Sequence, residues 1–245
     1  MIEIKNLSKN YFGKPALREI NLSLPQGQII GLFGENGAGK TTLLKCMLQL
    51  LSYQGEILLD GEPITHKNIA RLSFATSEHS FFPNLTAQDH CTFYQEHFPY
   101  FSKTRFEGLM NFFQLPKHRP IRSFSTGQKN QFEVILALSQ GADYILMDEP
   151  FSGNDLFNRE DFYKVLLGIL KPNETILLST HLIDEVSAFL DRVILLKDHQ
   201  ILQDVSTSYL EENGISLTNY VKESYHYQKD RVSLALDQIS GKEED

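Results

Sequence analysis

The chain has 245 residues, 41% of them hydrophobic and 22% charged. That is interior enough for one large domain or two small ones, and it excludes a disordered or collagen-like chain. The formal net charge of −8 disfavours a broad, non-specific grip on nucleic acid or anionic lipid.

In chain order, short apolar runs at residues 20–24, 28–33, 56–59, 144–147, 175–179 and 193–196 predict strands. Helical patterns alternate with them, which predicts an α/β fold with a largely parallel sheet. Residues 86–98 and 103–113 carry aromatic and polar side chains at near-helical spacing, punctuated by Pro99, Pro116 and Pro120, and predict a mainly helical insert. Beyond Val205 the pattern weakens, and residues 241–245 are expected to fray. Cys46 and Cys91 cannot build a disulfide framework, and the start Met1 to Lys5 has neither the basic end nor the apolar run of a signal peptide. No apolar stretch nears the ~20 residues that cross a bilayer, so a reducing cytoplasm is the expected home and membrane contact is expected to run through a partner.

The strongest motif is Gly34-Glu35-Asn36-Gly37-Ala38-Gly39-Lys40-Thr41, a full G-x-x-x-x-G-K-[ST] match between an apolar run and a helical stretch, 42–51. Glycines there let backbone N–H groups wrap phosphates, and the helix adds its positive end. Lys40 neutralises the β- and γ-phosphates, and the Thr41 hydroxyl ligates Mg²⁺, so the ligand is a nucleoside triphosphate. A second apolar run ends in the adjacent carboxylates Asp148-Glu149. Their side chains point to opposite sides of a strand: Asp148 suits Mg²⁺, and Glu149 suits polarising the attacking water. A third element, Phe124-Ser125-Thr126-Gly127-Gln128, reads by itself as a serine or threonine helix cap.

Together these pieces resemble the ATP-binding subunit of ATP-binding cassette (ABC) transporters, over roughly residues 2–205. The resemblance implies a P-loop NTPase (RecA-like) core, a small N-terminal β subdomain, and a helical subdomain at about 78–134 between the Q-loop and signature regions. It implies an ATPase domain over 1–215 and a C-terminal extension over 216–245. In the family, Leu-Ser-Gly-Gly-Gln caps a helix that reaches ATP held by the other subunit of a dimer. Ser125, Gly127 and Gln128 match that signature, while Phe124 replaces the leucine and Thr126 the first glycine.

Other positions follow from the same resemblance. Tyr11, with Phe12 as competitor, stands where an aromatic ring stacks on adenine, and Gly34 to Thr42 would hold the phosphates. Asp155 matches the D-loop, although Asn154 sits where an aliphatic residue is usual. His181, after the apolar run 175–179, fits the switch histidine that contacts the γ-phosphate; a polar loop residue is the alternative. Ser77 holds the usual place of the Q-loop glutamine, and Glu78 beside it is either a metal ligand or a solvated acid. Phe81, Phe82 and Leu85 form core for the insert or a groove for a membrane subunit. The implied function is ATP hydrolysis driving a separate membrane-spanning subunit, in a homo- or heterodimer at the inner face of the membrane. The substituted signature and Q-loop resemble those of bacterial drug, peptide or bacteriocin-immunity exporters rather than nutrient importers, so export of a drug, peptide or lipid-like substrate is expected. The alternative is a non-transport ABC ATPase acting in cofactor assembly or on nucleic acid and ribosomes. Cys46 reads as a small buried residue, and His90 with Cys91 lacks the spacing of a metal site.

Overall fold

The computed structural model describes residues 1–150 and 156–225, without the side chains of 156–160 and 185. An antiparallel hairpin opens the fold: β1 (Ile2–Tyr11) and β2 (Lys14–Leu24) are joined through Phe12 and Gly13, at φ 48° and 80°. Paired positive φ values match the twist of the flanking strands, and they leave Tyr11 at the hairpin tip. After β3 (Ile29–Gly34) and α1 (Lys40–Met47), β4 (Gln54–Leu59) and β5 (Glu62–Pro63) complete a four-stranded antiparallel sheet of order β2-β1-β4-β5. This is the expected N-terminal β subdomain. Leu43, Leu44, Cys46 and Met47 of α1 are buried in one core with Ile2, Ile4 and Leu7 of β1 and with Ile30 and Leu32 of β3. Burial pushes the Cys46 thiol up to about 11, in keeping with an inert packing role.

β6 (Leu72–Thr76) leads into the helical insert, built of α2 (Ala87–His97), α3 (Lys103–Phe112) and the start of α4 (Thr126–Ser139). Thr86 and Asp89 form a capping box on α2, and the Ser102 hydroxyl caps α3, which is why both helices begin where the sequence pattern does. Phe106, Ile121, Phe124 and Phe132 pack the insert's interior. Arg105 of α3 makes a bidentate pair with Glu174, at 2.9 and 3.0 Å, that fastens the insert to the sheet.

The rest of the chain is β7 (Tyr144–Asp148), α5 (Leu156–Ile169), β8 (Thr175–Ser179), α6 (Ile183–Val186), β9 (Arg192–Lys197), β10 (Gln200–Ser206), α7 (Thr207–Glu212) and α8 (Leu217–Ser224). The second sheet has six strands, in the order β10-β9-β3-β8-β7-β6, parallel except for β10. Every residue of β7 and β8 is buried, so their near-continuous apolar runs are what a covered parallel sheet demands. Register sets Asp148 level with Thr76 on one side and Ser179 on the other. The carboxyl ends of β3, β7 and β8 therefore share one edge, where ligands of open α/β sheets bind.

Two sequence expectations shift. The helix after the P-loop starts at Lys40 and ends at Met47, short of the predicted 42–51, because Leu48 leaves the helix and Gln49 takes φ 59°. Past Val205, where the pattern weakens, two serine-capped helices form, and α8 seats Leu217 and Val221 in the core. Residues 241–245, expected to fray, lie outside the described residues.

Candidate active site

The P-loop wraps from the end of β3 to the start of α1. Gly39 has φ 115°, and a Cβ there would lie 2.4 Å from the Ala16 carbonyl oxygen, so the tight approach to β2 admits only glycine. Lys40 is 7% exposed. Its ammonium folds back on the loop, donating to the carbonyl oxygens of Gly34 at 2.7 Å and Glu35 at 3.3 Å. Ala38 is buried in the core below.

A cavity of about 330 Å³ opens above this loop. Tyr11 and Ala16 bound it at one end, Asn36, Gly37 and Gly39 to Thr42 form its floor, and Asp148 and Glu149 close the other end. Tyr11 is 40% exposed with the Lys9 ammonium 5.1 Å from its ring centre, whereas Phe12 projects wholly into solvent from the hairpin turn. Of the two rings weighed for adenine stacking, Tyr11 lines the cavity and Phe12 does not.

Asp148 is 6% exposed and accepts two hydroxyl hydrogen bonds, from Thr41 and from Ser179, each at 2.6 Å. Ser179 escaped the sequence reading because its role arises from strand register. Glu149 follows in the left-handed region, at φ 47°, with its N–H bonded to the Ser179 carbonyl at 2.9 Å. That backbone turn lets the second carboxylate leave the strand line. The Glu149 carboxylate accepts from His181 Nδ1 at 3.0 Å. The structure so brings together Lys40, Thr41, Asp148, Glu149 and His181, the last on the loop after β8.

The signature residues stand elsewhere. Ser125 is the N-cap of α4: its hydroxyl accepts from the Gln128 N–H at 3.2 Å, and the Gln128 side chain accepts from the Ser125 N–H at 3.0 Å. Ser125 and Thr126 are exposed, Gly127 and Gln128 half-buried, and none lines the cavity of its own chain. Phe124 is a core residue, 6.0 Å from the Phe132 ring, so its replacement of leucine is a packing change. Asp155 lies outside the described residues.

Glu78 does not join the cluster. Its exposed carboxylate is bound by Lys45 of α1 at 2.7 Å, and it does not line the cavity that Thr41 and Asp148 share. Phe81, Phe82 and Leu85 divide: Phe81 packs 5.8 Å from Phe132, while Phe82 and Leu85 are 49% and 37% exposed. The turn is held by His90, which is buried, donates from Nδ1 to the Thr86 carbonyl at 2.7 Å and accepts the Phe82 N–H on Nε2 at 3.0 Å. Burial holds this imidazole below its usual pKa, which suits the neutral tautomer this pattern requires.

Comparison with known proteins agrees with the geometry. The ABC transporter family model matches residues 17–152. A lantibiotic transport ATP-binding protein, SrtF of Streptococcus pyogenes, is 26% identical over 82% of this chain and 89% of its own length. The osmoprotectant import ATP-binding protein OsmV of Salmonella typhimurium is 32% identical over 86% of this chain and 60% of its own. Among solved structures, the ATP-binding subunit of an ABC transporter superposes with a TM-score of 0.79 at 21% identity, covering 92% of this chain and 98% of that one.

Proposed function

This chain belongs to the ABC transporter family, and from that premise we propose that it is the ATP-hydrolysing subunit of a transport system, working as a dimer beneath a separate membrane-spanning subunit. The observation that carries this reading is the convergence of Lys40, Thr41, Asp148 and Glu149 around one cavity, with His181 bonded to Glu149. No described helix is long and apolar enough to cross a membrane, so the proposed seat at its inner face depends on that subunit.

The residues divide the chemistry. Tyr11 offers a ring for adenine, and the P-loop amides with the α1 N-terminus offer donors for phosphate oxygens. Lys40, bonded to two loop carbonyls in this structure, exchanges them for the β- and γ-phosphates, so the bare loop is already shaped by the cation it will present. Mg²⁺ fits this donor set, because the Thr41 hydroxyl and the Asp148 carboxylate are hard oxygen donors side by side. Thr41 and Asp148 would hold the ion, which when bound neutralises charge on the phosphate oxygens. Glu149 takes the proton of the attacking water, and His181 fixes the orientation of that carboxylate. The exposed Ser125 end of α4 serves the ATP of the partner subunit, and Phe82 and Leu85 offer the membrane subunit an apolar foothold.

For cargo, we favour export of a drug, peptide or lipid-like substrate. The substituted signature and the likeness to a lantibiotic transport protein support it, and the likeness to an import protein is the rival. The catalytic part is tested on purified protein: Glu149→Gln should bind ATP yet hydrolyse it about 10²-fold or more slowly, and Lys40→Ala should lose triphosphate binding. Wild-type turnover in Glu149→Gln would remove the assigned base. Direction is tested by co-purifying the membrane subunit and measuring ATP-driven movement of candidate peptides in vesicles; uptake toward the ATPase side would reject export.

A further inference from the structure

Glu133 interrupts an apolar stretch of α4, between Phe132 and Val134, and is 2% exposed. A carboxylate so placed needs strong partners. Ser80, 53 residues earlier, supplies them: its N–H lies 2.9 and 3.1 Å from the two carboxylate oxygens, and its hydroxyl donates to the nearer one. One turn before Glu133, Asn130 Oδ1 lies 2.8 Å from His79 Nε2. Two consecutive residues of the segment after β6 are thus fixed to consecutive turns of the helix that carries the signature at its N-terminus.

The same segment stays attached to the helical insert further on. Phe82 is bonded to His90, Pro83 accepts from the Arg122 N–H at 2.7 Å, and Leu85 accepts from the Ile121 N–H at 2.9 Å. Toward the active site, Ser77, Glu133 and Glu149 line one narrow cleft. The segment therefore runs from the hydrolytic carboxylate to the exposed Phe82 while bound along its length to the insert.

We infer that Glu133 is a positioning residue for hydrolysis: through Ser80 it makes the segment after β6 and the signature helix α4 one mechanical unit. The inference rests on the proposed ATPase function, and the wild-type protein is its control. A buried polar pair of purely structural worth is the rival.

The test measures kcat and KM for Mg-ATP, with thermal melting, on wild type, Glu133→Ala, Glu133→Gln, Ser80→Ala and the Glu133→Ala/Ser80→Ala double variant. Glu133→Ala should lose about tenfold or more in kcat with KM within about twofold, because the P-loop is untouched. Glu133→Gln keeps an acceptor for both Ser80 donors and should recover to within about threefold of wild type. Ser80→Ala should fall between, and the double variant should be no worse than Glu133→Ala, the non-additivity of a shared contact. Wild-type kcat in Glu133→Ala, additive losses, or a KM that rises in step with the fall in kcat would overturn the inference. If Glu133→Ala does not fold, unchanged kcat in Ser80→Ala overturns it alone. A wild type without ATPase activity would reject the proposed function instead. Amide exchange then judges the unit: Ser80→Ala should raise exchange in both 77–85 and 125–131, and no rise in the second stretch would refute it.

Discussion

Glu149 shows how little of a proposed catalytic position lies in residue type alone. Its left-handed backbone, of a kind that costs roughly 1–3 kcal/mol in an ordinary side chain, is held by the Ser179 carbonyl below and the His181 ring above. His181→Ala should therefore leave ATP affinity nearly unchanged and lower turnover by about 10²-fold, since it frees the carboxylate without touching the P-loop. Affinity and turnover measured on one preparation decide this, and normal hydrolysis would return His181 to the status of a polar loop residue. Glu133 carries a pH signature. Burial outweighs the two Ser80 hydrogen bonds and raises its pKa from 4.5 to about 7. Because the folded value lies above the unfolded one, the folded state holds the extra proton, and stability falls as pH rises from the unfolded toward the folded pKa. Between about pH 5.5 and 8 that loss amounts to about 2 kcal/mol. Glu133→Gln cannot titrate, so its stability relative to wild type should climb by that amount over the interval in urea unfolding. Parallel curves would show that the carboxylate keeps its ordinary pKa.

Helix α4 joins three jobs along one element: capping at Ser125, aromatic packing at Phe132, and the polar link at Glu133. Thr126 is its first helical residue and is exposed, so in the proposed dimer its Cβ would stand where the partner subunit comes close. Among the described residues the Ser125 hydroxyl only accepts, which in the proposed dimer leaves its proton for phosphate. We therefore expect Thr126→Gly, in a Glu149→Gln background, to strengthen ATP-driven dimerisation in analytical ultracentrifugation. Weaker dimerisation would show that the threonine contributes a contact. At this scale the sequence was legible where an element's signal is local. The P-loop, β7 and β8 could be read from contiguous residues, and the caps at Thr86 and Ser102 agree with the predicted helix starts. β6 was not legible, because Ser73 and Thr76 break a five-residue run although both are buried in the sheet. β1 hid its alternation behind bulges, at Ile4 to Leu7 and again near its end. The Ser179 and Ser80 contacts depend on strand register and on a long-range approach of two segments. The acid inside the apolar run at 132–138 was the one available hint of the latter.

Across the whole molecule, the two halves of the proposed chemistry stand apart: the cavity gathers P-loop and carboxylates, while the signature end of α4 does not line it. In the proposed dimer one chain offers half of each of two sites, and the signature of one subunit completes the cavity of the other. Mixed dimers make this testable. Pairing a Lys40→Ala chain with a Ser125→Ala chain leaves one intact P-loop, on the Ser125→Ala chain, facing the intact signature of its partner. Such dimers should retain up to about half the wild-type turnover, and losing one phosphate donor elsewhere costs them nothing further. Placing both substitutions in one chain beside a wild-type partner also leaves one intact P-loop, but it now faces the altered signature, and turnover should fall about 10²-fold. Both preparations contain the same substitutions in the same number, so differences in folding cancel. If the natural partner is a different chain, the same pairs are made with it. The reverse order of activities would mean that Ser125 serves the nucleotide of its own chain, and the trans arrangement would have to be abandoned.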